Sequence, residues 1–559
     1  MTRPTPIPVL AALVAAALLL SAAPGTAASK KKPPAAPAAP AIPTAAAPAP
    51  PRATVDLPPQ AEGRIVAVEA GGDLQAALDQ ARPGDALTLP AGAVFRGPFN
   101  LPRASGDGWI TVRTDALDRL PPAGTRVTPQ DAGAMPVLEA ADGAVLRAEP
   151  GVHHLRFVGL EIRPAAGAFL YTLVGIGAKE TSADATPHHL VFERCYLHGD
   201  PQLGTRRGIA LNGRHLAVLD SHLSDFKEKE ADSQALCGWN GPGPILIANN
   251  LLEAAGENVM FGGAPPSIPD LVPADITIER NLFTKPLAWK PGEPDYDGSS
   301  WSVKNLFELK NARRVRIAGN RFENGWAQSQ RGYAIVLTVR DEEGQAPWVA
   351  VEDVLFTGNV VAGAGNGVNI LGRDSSHPGG GGKTARIRIA NNVFDDIGGE
   401  RWGGKGTLFQ ILQGASDVAI EHNTGLQTGG IVMAEGGPFP RFVLRDNVLK
   451  HNQFGIAGTG TGVGVPTLLA QFPGSVVTGN VFVGGVPGRY PPGNTFPRTL
   501  EEVGFVDAAR GDYALAASSQ VRAAASDGKA PGANDDVTRA CARPRRPDTD
   551  ARRRGEGGR

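Results

Sequence analysis

The sequence predicts an all-β solenoid of stacked parallel strands, and three observations carry that prediction. Eight asparagines share the frame apolar-x-apolar-x-x-Asn-x-apolar: ILIANNLL (Asn250), ITIERNLF (Asn281), VRIAGNRF (Asn320), VLFTGNVV (Asn359), IRIANNVF (Asn392), VAIEHNTG (Asn423), FVLRDNVL (Asn447) and SVVTGNVF (Asn480). Three earlier copies keep the apolar places but put Leu160, Cys195 and Ser221 at the asparagine position. The spacing is irregular, from 24 residues (Asn423 to Asn447) to 39 (Asn281 to Asn320), which suits a coil with a constant strand core and variable loops better than a fixed helical repeat.

Within each copy, alternating apolar residues before the Asn make a short strand with one buried face, and the apolar residue two places after it begins a second strand beyond a bend. Asn is expected to adopt the left-handed backbone of that bend. Coils stacked about 4.8 Å apart would let the amides hydrogen-bond in a ladder, satisfying groups that are costly to bury unpaired.

Outside the repeat the chain reads in order. Arg3, the apolar run Val9 to Leu20 and SAAPGTAAS have the form of a secretory signal over residues 1–28, too short for a stop-transfer anchor, so the protein is expected to be secreted or periplasmic. The Ala/Pro-rich segment that follows, residues 29–60, is expected to be an unstructured or polyproline-like tether. Residues 61–534 form the solenoid and 535–559 an Arg-rich disordered tail holding Cys541. Three cysteines in 559 residues do not make a disulfide framework, and Cys195 and Cys237 read as core thiols. A net charge of -1 favours neither nucleic acid nor an acidic membrane as partner, and the chain is expected to be a monomer with no integral membrane span.

The first coil needs a cap. In GGDLQAALDQARPGDALTLPAGAVF, residues Leu74, Ala77, Leu78 and Ala81 have helical spacing after Asp73 as N-cap, and Pro83-Gly84-Asp85 stops the helix before the strand Ala86 to Leu89. This cap followed by asparagine-register coils resembles the right-handed parallel β-helix superfamily that includes pectate lyases and related polysaccharide lyases and hydrolases. The resemblance covers roughly Arg64 to Asn534 and implies a right-handed parallel β-helix with an asparagine ladder and an N-terminal helical cap. The superfamily also holds esterases, epimerases and non-catalytic segments, so the resemblance leaves the activity open.

After each Asn strand comes a loop and then another apolar strand, as in KNLFELKN, GYAIVLTVRD and NGVNILGRD. In the resembling superfamily, substrate grooves run along the outer face of that strand. With Phe307 and Leu309 inward, period two turns Glu308 and Lys310 outward, and with Ile335, Leu337 and Val339 inward, Thr338 and Arg340 face out, with Asp341 opening the next loop. Arg373 and Asp374 take the equivalent places one coil on, and Glu257 and Asn258 begin a neighbouring strand. The expected groove therefore holds Lys310, Arg340, Glu308 and Asp341 as candidate catalytic groups, with Arg373, Asp374, Glu257, Asn258, Trp301 and Trp326 binding substrate. Charges at strand ends also serve as plain solvated pairs, and tryptophans also pack under loops.

The loop EPDYDG places Glu293, Asp295 and Asp297 at alternate positions before Gly298, the pattern of a calcium loop, although Lys304 stands where an EF-hand puts its glutamate. Asp295 and Asp297 are thus candidate calcium ligands, with a simple solvated loop as the alternative.

A Lys/Arg row suits β-elimination on a uronate-containing polysaccharide, in which a base removes the proton beside a neutralised sugar carboxylate. Arg340 one coil away is expected to lower the pKa of Lys310 by like-charge repulsion. FELKNARRVRIAGNRF also resembles the Lys-then-Asn run of the chondroitinase B and alginate lyase group, which implies Lys310 as base and Arg340 as its helper. The pectate lyase Arg-x-Pro-x-x-Arg run and the polygalacturonase signatures are absent. Hydrolysis by Glu308 and Asp341, or glycan binding without catalysis, are the alternatives. His153-His154 and His188-His189 precede strand runs, so neighbours in each pair are expected on opposite faces, a poor arrangement for chelation.

Overall fold

The computed structural model describes residues 44–58, 63–103, 105–342, 344–376 and 381–541. The expected signal segment, 1–28, and the Arg-rich stretch 542–559 lie outside the described residues.

Three long parallel sheets build the molecule as a right-handed parallel β-helix. Sheet A has 14 strands, from Ile65–Ala67 to Val476–Thr478; sheet B has 13, from Val94–Arg96 to Val481–Val483; sheet C has 12, from Phe99–Asn100 to Ile456–Gly458. The chain passes from A to B to C in each coil. Every pairing within the three sheets is parallel, as in Ala274–Glu279 beside Ala312–Ala318, with Ile276 opposite Val315 and Ile278 opposite Ile317. Inward residues of all three sheets form one continuous core, and rings at equal positions stack, as Phe283 does on Phe322 at 4.3 Å. Among the described residues no helix is long and apolar enough to cross a membrane.

The helix Leu74–Gln80 caps the first coil, with the Asp73 side chain accepting from the Ala76 N–H at 2.9 Å and Leu74 and Leu78 buried beneath it. This N-cap satisfies a donor that the first turn would otherwise leave unpaired.

The asparagine ladder stands at the corner between sheets A and B. The backbone N–H and the Nδ2 of Asn281 both donate to Asn320 Oδ1 at 3.0 Å, and Nδ2 also donates to Ile247 O at 2.9 Å. The same pattern joins Asn320 to Asn359 and Asn359 to Asn392. It closes on Asn494, a loop residue outside the sequence frame, which accepts from Asn480. The left-handed residue of the bend is the one before the ladder asparagine, such as Arg280 (φ 56°) or Asn249 (φ 56°). The ladder asparagine keeps a negative φ because its amide must turn inward along the stack, so the sequence expectation is shifted by one residue.

A second left-handed column runs through sheet A: His154, His189, His215, Asp275, Arg314, Asp353, Arg386, Asp417 and Arg441 all have φ between 52° and 61°. Its second half alternates Asp and Arg on successive coils. Arg314 grips Asp275 with two hydrogen bonds (2.7 and 2.9 Å), Arg386 grips Asp353 (2.6 and 3.0 Å), and Arg441 grips Asp417 (2.5 and 2.5 Å).

Residues 44–58, expected to be part of a free tether, lie along this column as a strap. Backbone N–H groups of Ala46, Ala49 and Arg52 donate to Oδ1 of Asp417, Asp353 and Asp275 at 3.0, 3.0 and 2.8 Å, and that of Asp56 reaches His215 Nδ1 at 3.4 Å. Three residues of polyproline II advance about 9.3 Å, and two coils about 9.6 Å, so from Ala46 to Arg52 every third N–H meets every second coil. The alanines and prolines supply that geometry without side chains that would obstruct the approach.

At the other end, the strands Phe505–Asp507 and Asp512–Leu515 and the helix Asp535–Cys541 cover outward valines of sheet B, among them Val360, Val393, Val448 and Val481. The expected tail therefore begins with a docked helix, and Cys541 is buried under it because an apolar patch of sheet B needs a cover.

Candidate functional site

On the outer face of sheet C the side chains of successive coils differ in chemistry. In register along it stand Met260, Glu308, Val336, Asn369, Gln410 and Met433. Loops rise on both sides: Ser329, Gln330 and Arg331 on one, Arg340, Glu342 and Ser375 on the other, enclosing a groove of about 710 Å³. Lys310 and Arg340 both line it. They are not level with each other. Leu309 pairs with Leu337, so Thr338 stands beside Lys310, and Arg340 comes from the loop base, its N–H donating to Lys310 O at 3.1 Å.

Glu308 lies at the floor, only 3% exposed, and accepts from Asn305 Nδ2 at 2.8 Å. Burial pushes its carboxyl up to about 7, with the charge of Glu257 adding to the shift and Lys310 and Lys304 opposing it. Lys310 Nζ pairs with Glu342 Oε1 at 2.6 Å. Burial works against its charge, but Glu308, Glu342 and Glu257 outweigh that effect and hold the lysine above its ordinary pKa. The expected lowering by Arg340 does not occur, because Arg340 is itself engaged by Asp374 at 3.0 Å while carboxylates surround the ammonium. Tyr333 lines the same groove, its phenol pushed up to about 12 by burial.

The other residues expected in the groove have different places. Asp374 is 1% exposed and accepts from Arg340 Nη1, the Asp341 N–H, and the N–H and Oγ of Ser376. Asp341 is buried and accepts the Ala346 N–H at 2.8 Å, closing its own loop. These two carboxylates fix the loop base that presents Arg340. Arg373 turns into a neighbouring recess with Ser375, Lys383 and Gln413. Glu257 is fully buried beside the floor, accepting from Gln234 Nε2 at 2.8 Å, with Lys304 3.6 Å away.

Asn258 points into the corner instead, donating to Leu252 O and Thr284 O and accepting from Lys285 Nζ at 2.9 Å. That lysine is fully buried, also donates to the carbonyls of Ala254, Ala255 and Gly256, and is lowered to about 7 by burial. Trp301 and Trp326 do not wall the groove. They pack with Trp289 and Trp402 in a buried cluster beneath the loops, where Lys227 Nζ lies over the Trp289 and Trp301 rings.

In the EPDYDG loop, Glu293 is engaged by Lys290 and Arg401, and Asp297 by the Ser299 N–H and Trp301 Nε1. Among the described residues, the groups of three or more converging ligand side chains lie elsewhere and include none of Glu293, Asp295 and Asp297.

Several lining residues were not among those expected. Asn369 and Gln410 follow from extending the Glu308 register by one and two coils, a signal present in the strand pattern. Arg331 and Glu342 sit in loops, where alternation gives no direction.

No protein-family model matches the chain, and no curated protein does. Among solved structures, the chain is similar to the PL6 family alginate lyase AlyGC at 14% identity, with 77% of this chain and 53% of that one covered and a TM-score of 0.43. It therefore spans about half of that lyase. A mannuronic acid specific polysaccharide family 6 lyase from human gut microbiota is 12% identical, with 79% and 93% covered and a TM-score of 0.40. A tailspike protein of E. coli bacteriophage HK620, in complex with a pentasaccharide, is 12% identical, with 76% and 62% covered and a TM-score of 0.43. Likeness at this level concerns the course of the chain alone. The chain is a parallel β-helix protein whose outer sheet C carries a walled groove with Glu308, Lys310 and Arg340 in it.

Proposed function

We propose that the sheet C groove binds a uronate-containing polysaccharide and cleaves it by β-elimination. The observation that carries this reading is the pairing, in one walled groove, of a buried carboxyl held near 7 with a lysine held charged. Environments that push two titratable groups apart in this way assign acid-base roles. Arg340 and Lys310 hold the sugar carboxylate and the negative charge that spreads onto it as the adjacent carbon loses its proton. Glu308, whose carboxyl burial holds well above its ordinary value, takes that proton in its ionised form. The electron pair forms the carbon–carbon double bond, the glycosidic oxygen leaves, and it takes up a proton from water. The base thus moves from Lys310, favoured by the sequence, to Glu308, because a lysine among three carboxylates keeps its proton.

A second reading has its own support: Glu308 and Glu342 flank Lys310, which would suit hydrolysis with these two carboxylates as base and acid. Export, as expected from residues 1–28, would bring the protein to such a substrate. Calcium at the Asp295 and Asp297 loop rests on the sequence pattern alone, and activity that survives a chelator would set it aside.

The test is incubation of the purified chain with a panel of uronate polysaccharides while ultraviolet absorbance of the unsaturated product is followed. A rise supports elimination. New reducing ends without absorbance select hydrolysis, and retention of glycan without either selects binding alone.

A further inference from the structure

Half of the chain's ten histidines, His153, His154, His188, His189 and His215, gather on three consecutive coils of sheet A. Strand alternation would send His153 and His154 to opposite faces, and likewise His188 and His189. The left-handed residues at His154 and His189 (φ 55° each) break the alternation and bring each pair to the same outer face. Parallel pairing then stacks the pairs: His153 lies opposite His188 with rings 4.9 Å apart, and the rings of His154, His189 and His215 follow one another at 4.3 Å. Within each pair the rings stand at a steep angle and Nδ1 is hydrogen-bonded to Nδ1, one ring donating and the other accepting, at 2.8 Å for His153 and His154 and 2.7 Å for His188 and His189.

Those short edges match a metal's coordination shell. Two ligands about 2.0 Å from an ion and about 90° apart are separated by about 2.8 Å, the cis edge of a tetragonal copper or nickel site. Ligand nitrogens of His154, His188 and His189 all lie within 4.8 Å of one another, and a second converging set joins His189 and His215 to Asp56. Asp56 comes from the strap, its carboxylate 3.5 Å from both His189 Nε2 and His215 Nδ1. An ion there would displace the proton shared between His188 Nδ1 and His189 Nδ1, so uptake of the metal releases a proton. Trp109 sets its edge against His154 at 5.1 Å and shelters one side.

We propose that this histidine ladder is a binding site for a divalent transition metal ion of the imidazole-preferring class (copper, nickel or zinc), centred on His154, His188 and His189, with Asp56 and His215 completing it from the strap side. The site lies on sheet A, separate from the sheet C groove, and holds whether or not the groove is an enzyme. An ion there would pin the strap to the coils through a ligand that the strap itself supplies.

The experiment uses the full chain, purified without a histidine tag and stripped with a chelator. Equilibrium dialysis against copper chloride should show one equivalent bound with micromolar or tighter affinity, and electron paramagnetic resonance should show nitrogen splittings from at least two imidazoles. His189→Asn should weaken binding at least tenfold, a His188→Ala/His189→Ala pair should abolish it, and Asp56→Asn should weaken it several-fold. His198→Asn, outside the ladder, should bind as the parent does. Binding unchanged in a double variant that still melts cooperatively overturns the proposal. Should that variant fail to fold, a parent spectrum with oxygen ligands only, or no ion retained, overturns it equally.

Discussion

The corner between sheets A and B and the outer face of sheet C are built by the same coils and follow opposite rules. At the corner each coil contributes the same residue making the same bonds, from Asn250 through Asn480, and each asparagine is useful only because its neighbours match it. On sheet C the register column changes from Met260 to Glu308, Val336, Asn369 and Gln410. Repetition there would serve packing equally well, so the departures are where chemistry can reside. A ladder spreads the cost of a substitution over neighbouring coils; a groove concentrates the consequence in a few side chains.

The sharpest way to separate the two regions is to mutate each and read both activity and stability. Glu308→Gln should lower production of ultraviolet-absorbing product by about 10²–10⁴-fold while the melting temperature at pH 8 stays level or rises, since a buried charge is removed. A variant that keeps full turnover would move the base elsewhere. Asn320→Leu should do the reverse in the folded state: it removes the acceptor of both Asn281 donors and leaves Ile278 O and Asn359 Oδ1 without its amide, costing about 2–4 kcal/mol. An unchanged denaturation midpoint would mean that the ladder contributes little.

Acidity gives the next test. Glu308 and Glu253 are both held at about 7 by burial, above their value of 4.5 in the open chain. The unfolded chain therefore releases these protons first, and stability contributed by the two groups is present below about 4.5 and lost as pH rises towards 7. Glu308→Gln should flatten that decline when melting is followed from pH 4.5 to 7.5. Catalysis should run the other way, increasing through about 7 as Glu308 ionises, then decreasing when Lys310 loses its proton at high pH.

The smallest effect belongs to the strap. Ala49→Pro keeps the polyproline II backbone but removes the N–H that meets Asp353, so it should cost about 1 kcal/mol. Limited proteolysis near residue 49 should speed up while the core melts as before. No change in cleavage would mean that the remaining bonds hold the strap alone.

Much of the fold was legible because the asparagine frame records a bond that each coil must make. Asn494 escaped it because that residue closes the ladder from a loop, with no strand ahead of it. The left-handed position was read one residue late, since Asn at 249 and 391 hides the fact that Arg280 and His422 do the same work. For the candidate site, alternation placed Glu308 and Lys310 correctly, but it could not tell that Asp341 and Asp374 would be consumed by backbone donors. Nor could it bring Arg331 and Glu342 in from their loops. The pKa of Lys310 goes against the expectation because Arg340 alone was set beside it, whereas Glu308, Glu342 and Glu257 together outweigh burial and hold its proton.

The strap has a consequence for the order of assembly. Its partners lie 371, 304, 223 and 159 residues further along the chain, so the segment that would emerge earliest in synthesis can be seated only after most coils exist. It also checks their count. Displaced by one coil, each N–H would face Arg441, Arg386 or Arg314 in place of an aspartate, a donor against a cation, and displaced by two it would run past its last acceptor. A solenoid with a missing or slipped coil would therefore fail to seat residues 44–58, leaving their backbone donors without the aspartates that a correctly wound molecule offers.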